Sequence, residues 1–403
     1  MGIFEYIDGS AACAVELETE LTKRPAISPD SNGEGELDKC IFLEQWLRDQ
    51  GFHDLERFDA PDLRAKCGIR PSLMLTLPGP EGPDRLWIIS HLDVVPPGEL
   101  RLWKSDPWQV IQKNGVLTGR GVEDNQQGLT ASVLAALSLL KNNVAPARTV
   151  KLLFAADEEN GSEYGIDWIL ENRDIFRKGD MILVPDGGDS KGETIEIAEK
   201  NILWIEFLTT GLQSHGSRPD QGINAHLAGA DLLLRLHNEL TRAFPDHDPL
   251  FEPDRSTFEP TKKNANVPNV NTIPGEDSFC YDMRILPKYP IAQVMTEIER
   301  IKSEVASQYH VTISHFIHQS KESRSTPPDA PIVRLLSQAI RDVYRLEPRC
   351  IGIGGGTVGA SFRNAGIDAA VWSRIDDVAH QPNEYAKIEN ILGDAKVMAR
   401  LML

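Results

Sequence analysis

Residues 86–99 read LWIISHLDVVPPGE. Leu86, Trp87, Ile88 and Ile89 form a short apolar run of the kind a buried strand supplies. The run ends not in ordinary turn residues but in Ser90, His91, Leu92 and Asp93. In an open α/β sheet, functional side chains gather just beyond the carboxyl ends of the strands. A His-x-Asp at such an end therefore points to a site, and the residues at the other strand ends bear on what that site is.

The surrounding texture puts this stretch in an α/β domain. From about 40 to 200, SLMLTLPG (72–79), RTVKLLFAA (148–156) and DMILVPD (180–186) read as strands, while KCIFLEQWLRDQGF (39–52), QGLTASVLAALSLLKNN (127–143) and EYGIDWILENRDIF (163–176) read as helices. Strands alternating with helices predict a largely parallel, buried sheet. Near 199 the pattern changes. NILWIEFLTTG (201–211) alternates like an antiparallel strand, INAHLAGADLLLRLHNEL (223–240) is helical, and NVNTIPG (269–275) and SFCYDMRIL (278–286) are two further strands. PIAQVMTEIERIKSEVASQY (290–309) is a second helix and HVTISHFIH (310–318) a last strand. The order β-α-β-β-α-β predicts a split βαβ unit, an α+β ferredoxin-like domain with its own core. The α/β pattern resumes in APIVRLLSQAIRDVY (330–344) and AAVWSRI (369–375). The expected organisation is one domain of 1–198 and 319–403, interrupted by a second of 199–318. RAFPDHDPLFEPDRSTFEP (242–260) and SKESRSTPPDA (320–330) read as loops.

The strand ends carry a consistent chemistry. After RLWIIS come His91 and Asp93, after RTVKLLFAAD come Glu158 and Glu159, after DMILVP comes Asp186, and after AAVWSRIDDVA comes His380. Asp124 lies in GRGVEDNQQG (119–128), a glycine-rich turn opening a long helix. Two histidines and several carboxylates, with no thiolate, suit zinc, cobalt or manganese. The ligands suffice for two ions if one carboxylate bridges. Asp124 is the expected bridge, with His91 and Asp186 completing one site and Glu159 and His380 the other. Three carboxylates against two divalent ions leave net positive charge, enough to acidify a water held there. Adjacent side chains leaving an extended segment diverge, so Glu159 can reach a metal while Glu158 faces the attacking water as its base. Residues i and i+2 of a strand end face the same way, so the Asp93 carboxylate is expected to accept the other N–H of His91 and fix its tautomer. Singly, each residue has an ordinary reading: Asp124 as a helix cap, Glu158 and Glu159 as a solvated helix start, His380 as a loop histidine. Their coincidence at the strand ends of one sheet favours a metal centre.

Composition sets the outer limits. At 403 residues the chain is long for a single core, and two domains are expected. The apolar fraction of 41% and charged fraction of 25% are those of a soluble globular protein. A formal net charge of −18 disfavours nucleic acid and anionic membrane as partners, since both need a basic surface. No apolar run approaches the length of a membrane span. MGIFEYIDGSAACAVELETEL (1–21) lacks the basic and apolar regions of a secretory leader, and Tyr6 stands where N-myristoylation wants Ser or Thr. The five cysteines, Cys13, Cys40, Cys67, Cys280 and Cys350, are odd in number and scattered, with no CxxC spacing, which disfavours a disulfide framework or a thiolate zinc site and favours a cytoplasmic setting.

In this order the motifs SHLDVVPPG, LTGRGVEDNQQG, FAADEENGS, VPDGG, SHGSRPDQGINAH, NVNTIPGEDSFCYDMR, IGIGGGT and AHQPNEY resemble the M20 family of zinc-dependent aminoacylases and peptidases, over about residues 35 to 400. The family includes succinyl-diaminopimelate desuccinylase, acetylornithine deacetylase, carboxypeptidase G and several dipeptidases. The resemblance implies a zinc-aminopeptidase-like α/β catalytic domain holding two zinc ions, and an inserted lid domain through which two chains dimerise. It implies ligand roles for His91, Asp124, Glu159, Asp186 and His380, with Glu158 as the base. His215 in GLQSHGSRP matches the lid histidine that reaches a neighbouring chain's active site and polarises the scissile carbonyl. Asn271 in NVNTIPG and Arg284 in YDMR match lid positions that hold the substrate carboxylate, for which an arginine fork is suited. Gly355, Gly356 and Thr357 match the glycine loop that receives the substrate backbone. Two departures stand out: Gln127 replaces a frequent lysine, and Thr357-Val358-Gly359-Ala360 replaces a frequent Thr-Asp-Ala-Arg.

The implied reaction is amide hydrolysis of a small N-acyl amino acid, of the desuccinylase or deacetylase kind. A dipeptidase or carboxypeptidase activity is the alternative, distinguished by a requirement for a free amino group. A metal-bound binding protein without turnover, or a monomeric scaffold using the lid for interactions, is a further alternative. The intact Glu158 and five intact ligands argue against the former, and a homodimer would argue against the latter.

Overall fold

The structure is a computed structural model that describes residues 2–80, 82 and 84–403. It divides into two compact units, Met1–Ile197 with Thr326–Ile351 and Thr357–Leu403, and Ala198–Ser325 with Gly352–Gly356. In chain order the first stretch forms α1 (Ile3–Asp8), α2 (Ala11–Thr22), α3 (Leu37–Gln50), β1 (Leu55–Pro61), β2 (Ile69–Leu77), β3 (Leu86–His91), β4 (Ile111–Lys113), β5 (Val116–Thr118), α4 (Gln126–Lys141), β6 (Val150–Ala155), α5 (Ile166–Asn172), β7 (Met181–Asp189) and β8 (Thr194–Glu199). The middle stretch forms β9 (Asn201–Thr210), β10 (Ser214–His215), α6 (Ala225–Ala243), β11 (Thr257–Lys263), β12 (Thr272–Ile273), β13 (Glu276–Ile285), α7 (Ile291–Tyr309) and β14 (Thr312–Lys321). The chain ends in α8 (Pro331–Tyr344), β15 (Arg349–Ile353), α9 (Gly359–Asn364), β16 (Ala369–Arg374), β17 (Tyr385–Lys387) and α10 (Ile388–Met402).

The large sheet has the order β1-β2-β6-β3-β7-β16-β8-β15. Its centre, β6-β3-β7-β16, is parallel, as the alternating pattern predicts. β2 joins β6 antiparallel, β1 joins β2 antiparallel, and β8 pairs antiparallel with β16. Every residue of β3 is buried, which explains its uninterrupted apolar run. Register sets the functional end of the sheet. His91 lies opposite Ala155 of β6, just before Asp157–Glu159. Ile88 lies opposite Leu183 of β7, and that spacing, carried three residues on, brings Asp186 level with His91. α4 is buried from Gln126 to Leu139, so it is apolar around most of its circumference rather than along one stripe. Among the described residues no helix is long and apolar enough to cross a membrane.

In the second unit, β11-β13-β9-β14 form an antiparallel sheet. One face packs Leu203, Ile205, Phe207, Phe279, Tyr281 and Met283 against Leu232, Leu236 and Leu240 of α6 and Ile298, Ile301 and Val305 of α7. Asn224 caps α6 by accepting the Leu227 N–H at 3.0 Å. Two expectations differ here. The strand between α6 and β13 is Thr257–Lys263, read above partly as loop, whereas NVNTIPG supplies only the two-residue β12, paired with β10. β11 is an edge strand with a register slip between Pro260 and Lys262 and mostly exposed side chains. An edge tolerates proline, and exposure removes the alternation by which a strand is recognised. β14 also runs to Lys321, so the second unit continues past residue 318, to Ser325.

Candidate metal centre

In the first unit, five side chains from separate strand ends and loops meet. Asp124 stands between two histidines: Oδ1 lies 2.9 Å from His91 Nε2 and Oδ2 lies 3.0 Å from His380 Nε2. Asp186 Oδ1 is 3.7 Å from His91 Nε2, and Glu159 Oε2 is 2.9 Å from His380 Nε2. His91, Asp124 and Asp186 each offer a donor atom within 4.8 Å of the others, as do Asp124, Glu159 and His380, and Asp124 belongs to both groups. Imidazole nitrogen and carboxylate oxygen are the donors that zinc, cobalt and manganese take, so the residues present fit divalent cations.

The supports of these groups differ partly from expectation. The nearer acceptor for His91 Nδ1 is the backbone carbonyl of Asp93 at 3.0 Å, with the Asp93 carboxylate at 3.5 Å. A carbonyl acceptor fixes the tautomer equally well, leaving Nε2 free as a ligand. The Asp93 carboxylate instead accepts the backbone N–H groups of Glu158 at 3.0 Å and Glu159 at 3.1 Å, so it positions the acidic pair directly. Asp157, just before that pair, and His380 both adopt left-handed backbone, with φ of 63° and 62°. Such conformations persist where surrounding structure holds them, commonly at functional sites. Asp157 is held by an ion pair with the fully buried Arg70 at 3.0 Å.

Three further positioning residues had no sequence signal of their own. Asn125 donates its amide to Asp186 Oδ1 at 2.8 Å and to the Pro185 carbonyl at 2.6 Å, while its own carbonyl accepts the His91 N–H at 3.3 Å. It thereby ties the ends of β3 and β7 together. Glu384 is fully buried and gathers the turn carrying Asp124, accepting from the N–H groups of Gly121, Glu123 and Asp124 at 3.0, 3.0 and 3.1 Å and from Arg120 at 2.6 Å. Glu123 accepts the N–H groups of Asp376 at 2.8 Å and Val378 at 2.6 Å, anchoring the loop that ends in His380.

The crowding of like charge is visible in the electrostatics. Burial first, and the neighbouring Asp186 carboxylate second, push the Glu158 carboxyl well above its ordinary range. Burial also raises Glu159, to about 7, against the pull of His380. For His91 burial works downward, but Asp186 and Asp124 outweigh it and hold the imidazole well above its usual value. Hydrogen bonds to Asp124 and Glu159 raise His380 to about 10. Burial opposes ionisation of Asp124, yet the two histidines hold its carboxyl far below the usual range. A cluster in which carboxylates outnumber imidazoles is one that added positive charge would relieve.

The remaining expected residues lie mostly in the second unit. His215 on β10 pairs in register with Thr272, and the next residue, Gly216, donates its N–H to the Asn271 carbonyl at 2.7 Å, so His215 and Asn271 are neighbours. His215 Nδ1 accepts the Ser217 N–H at 3.1 Å. A backbone donor fixes Nδ1 as the acceptor, so the neutral ring carries its proton on Nε2. Arg284 is not an open fork: it donates to Asp282 Oδ1 at 2.6 Å and Oδ2 at 3.0 Å, and to the Gly354 carbonyl at 2.7 Å. Its remaining N–H groups are what a ligand could use. An added Cβ at Gly355 or Gly356 would make only ordinary contacts, the nearest at 3.5 Å. Thr357, at the start of the returning chain, caps the turn into α9 by accepting the Gly359 N–H at 3.0 Å.

Comparison with known proteins bears on the family. The family model described as peptidase family M20/M25/M40 matches residues 87–403. An uncharacterized metallohydrolase of Methanococcus maripaludis is 37% identical over 95% of this chain and 97% of its own. A succinyl-diaminopimelate desuccinylase of Nautilia profundicola is 26% identical over 94% of this chain and 95% of its own. The M20 family metallo-carboxypeptidase of Sulfolobus solfataricus shares the fold, with a TM-score of 0.74 at 20% identity over 96% of this chain and 98% of that one. The matched model spans most of the chain, and the relatives include a metallohydrolase, so this chain, whose clustered imidazoles and carboxylates fit divalent cations, belongs to the M20/M25/M40 peptidase family and is a metal-dependent hydrolase.

Proposed function

We propose that this hydrolase cleaves the amide bond of an N-acyl amino acid, as a desuccinylase or deacetylase does, and that it works with two zinc ions, for which cobalt or manganese can substitute. The observation that carries the reading is Asp124, whose Oδ1 lies beside His91 and whose Oδ2 lies beside His380. A carboxylate engaged at both oxygens is what a two-ion centre needs. His91, Asp124 and Asp186 would hold one ion, and Asp124, Glu159 and His380 the other. Ions held there would supply Lewis acidity toward a carbonyl and acidify a water.

The chain's own residues account for the rest. Glu158 takes the proton of the attacking water and delivers it to the leaving nitrogen. Asp93 fixes the backbone that carries both Glu158 and Glu159, which is a 3-10 turn over Glu158–Asn160 rather than the extended segment expected from the sequence. The second unit serves as lid and dimerisation module, in line with the family resemblance. His215 of the partner subunit offers its Nε2–H to the carbonyl oxygen as charge develops there. Asn271, the outer N–H groups of Arg284 and the Gly355–Thr357 loop grip the substrate's carboxylate and backbone. The scattered cysteines support a cytoplasmic setting.

The test is amine release by zinc-reconstituted protein from N-succinyl-diaminopimelate, N-acetylornithine, other N-acyl amino acids and dipeptides. Selective release from an N-acyl amino acid, abolished in Glu158→Ala, is the expected result. Release from dipeptides alone would replace the deacylase by a dipeptidase. No release from any compound, with metal verified in the protein, would overturn hydrolysis of this substrate class.

A further inference from the structure

The sheet of the second unit has one face covered by α6 and α7 and one face without them. On that second face, three side chains from three adjacent strands converge. Glu206 alternates with the core residues Ile205 and Phe207 on β9, and Cys280 with Phe279 and Tyr281 on β13, so both point away from the helices. Glu206 and Cys280 are direct register partners. Their Cβ atoms are therefore about 5 Å apart on the same face. On β14 the register slips between Ile317 and Gln319, and the extra residue is His318. A bulge re-aims a side chain, and here it brings His318 Nε2 to 3.2 Å from Glu206 Oε2.

The three groups are arranged as ligands are. One donor atom from each of Glu206, Cys280 and His318 lies within 4.8 Å of the other two. Asn264 donates to Glu206 Oε1 at 3.1 Å and to Ser278 Oγ at 2.7 Å, which orients the carboxylate and leaves Oε2 on the side of the histidine. Outer hydrogen bonds of this kind orient carboxylates that bind metals. The His318 ring is held edge-on to Phe316, with centroids 4.9 Å apart. A surface ion pair would explain Glu206 and His318, but it has no use for a thiol. Cys280 is a half-buried free thiol with two register partners, the Glu206 carboxylate on β9 and Lys262 on the edge strand β11.

We propose that Glu206, Cys280 and His318 form an additional cation site, of thiolate, imidazole and carboxylate donors, whose chemistry suits zinc. Three protein donors leave a position for water. An ion held there would clasp the edge strand β14 to β9 and β13, and the binding energy would add to the stability of this sheet. The site is independent of the catalytic reading, because none of its residues belongs to that centre.

Cobalt(II) distinguishes the two places, since a thiolate ligand gives cobalt an intense near-ultraviolet charge-transfer band that imidazole and carboxylate do not. The full chain, freed of metal, is titrated with cobalt(II) alone while absorbance and bound cobalt are followed. The expected result is the thiolate band, together with one more cobalt per chain in the wild type than in Cys280→Ser. His318→Gln is expected to lose the same band. Cysteine and serine differ by one atom, and circular dichroism checks that the variants fold. Absence of the band from the wild type would overturn the proposal. So would a band that survives Cys280→Ser, which would belong to another thiol, or one that survives His318→Gln, which would be a thiol acting alone.

Discussion

The Asp93 carboxylate accepts the backbone N–H of Glu158 at 3.0 Å, and its second oxygen takes the N–H of Glu159 at 3.1 Å. The strand end that presents His91 therefore also fixes the backbone from which the acidic pair departs. Asp93→Ala leaves two N–H groups without their acceptor and lets that backbone relax. Losing such a support at a metal site costs about 10- to 100-fold in activity or metal affinity. The expected outcome is a fall in kcat of that order with KM much less affected, measured on whichever amide substrate the panel identifies. An unchanged kcat in fully metal-loaded Asp93→Ala would remove Asp93 from the list of positioning residues.

Glu384 makes a second prediction, about metal rather than turnover. Its carboxylate collects three consecutive-turn N–H groups and the Arg120 guanidinium, and all of these donors lie around Asp124. Glu384→Ala should loosen the turn and weaken metal binding by about 10- to 100-fold in competition with a chelator. It also strands the buried Arg120 without its carboxylate, a loss on the order of 3–5 kcal/mol in unfolding free energy. Glu384→Gln retains one acceptor and should fall between the two. Equal chelator competition curves for Glu384→Ala and wild type would contradict this role.

These two residues mark where the sequence becomes legible and where it does not. His91, Glu158, Glu159 and Asp186 stand out because each follows an apolar strand of a parallel sheet, and parallel register brings strand ends together without any further information. Glu384 gives no comparable signal, because three of its four donors are backbone N–H groups that any residue type could supply, and the fourth, Arg120, lies far from it in sequence. The same holds for Asp93, where a backbone carbonyl took the position at His91 Nδ1 that spacing assigned to the carboxylate. β11 was obscured for a different reason: an exposed edge strand containing Pro260 shows no alternation to detect. Arg284 illustrates a third kind of gap, since Asp282 two residues earlier lies on the same face of the strand and engages the guanidinium.

Gln127 and Asp394 predict a pH dependence of stability. Gln127 donates to Asp394 Oδ2 at 3.1 Å, and Ser373 and Tyr344 donate to the same carboxylate at 2.7 and 3.0 Å. These three side-chain donors are neutral, as is the Arg374 backbone N–H that Asp394 Oδ2 also accepts at 3.1 Å. Burial dominates and pushes the Asp394 carboxyl up from 3.8 to about 6. A raised folded-state pKa means that the folded protein holds this proton more tightly than the unfolded chain. The contribution favours folding below the unfolded pKa and is lost as pH rises through about 6. For a fully buried group the swing is on the order of 3 kcal/mol. Asp394→Asn cannot ionise, so its stability relative to wild type should improve by up to about that amount between pH 4 and pH 7, read from urea unfolding at each pH. A stability difference that stays flat across this range would show that the neutral donors fully offset burial.

Gly355 separates a need of the fold from a need of the substrate. Its φ is outside the left-handed region, and an added Cβ would meet Ile353 Cδ1 at 3.5 Å, an ordinary van der Waals contact. Neither backbone conformation nor packing within the chain requires glycine there. Alanine at a tolerant position restricts the unfolded chain and stabilises by about 0.4–1 kcal/mol. If the loop instead keeps room for a substrate backbone, the added methyl meets the substrate rather than the protein. Gly355→Ala is therefore expected to hold or raise the thermal midpoint while raising KM with little change in kcat, because a clash shared by ground state and transition state weakens both alike. A stable Gly355→Ala protein with wild-type KM would take the glycine loop out of substrate binding. A protein that unfolds early would instead trace the glycine to the fold.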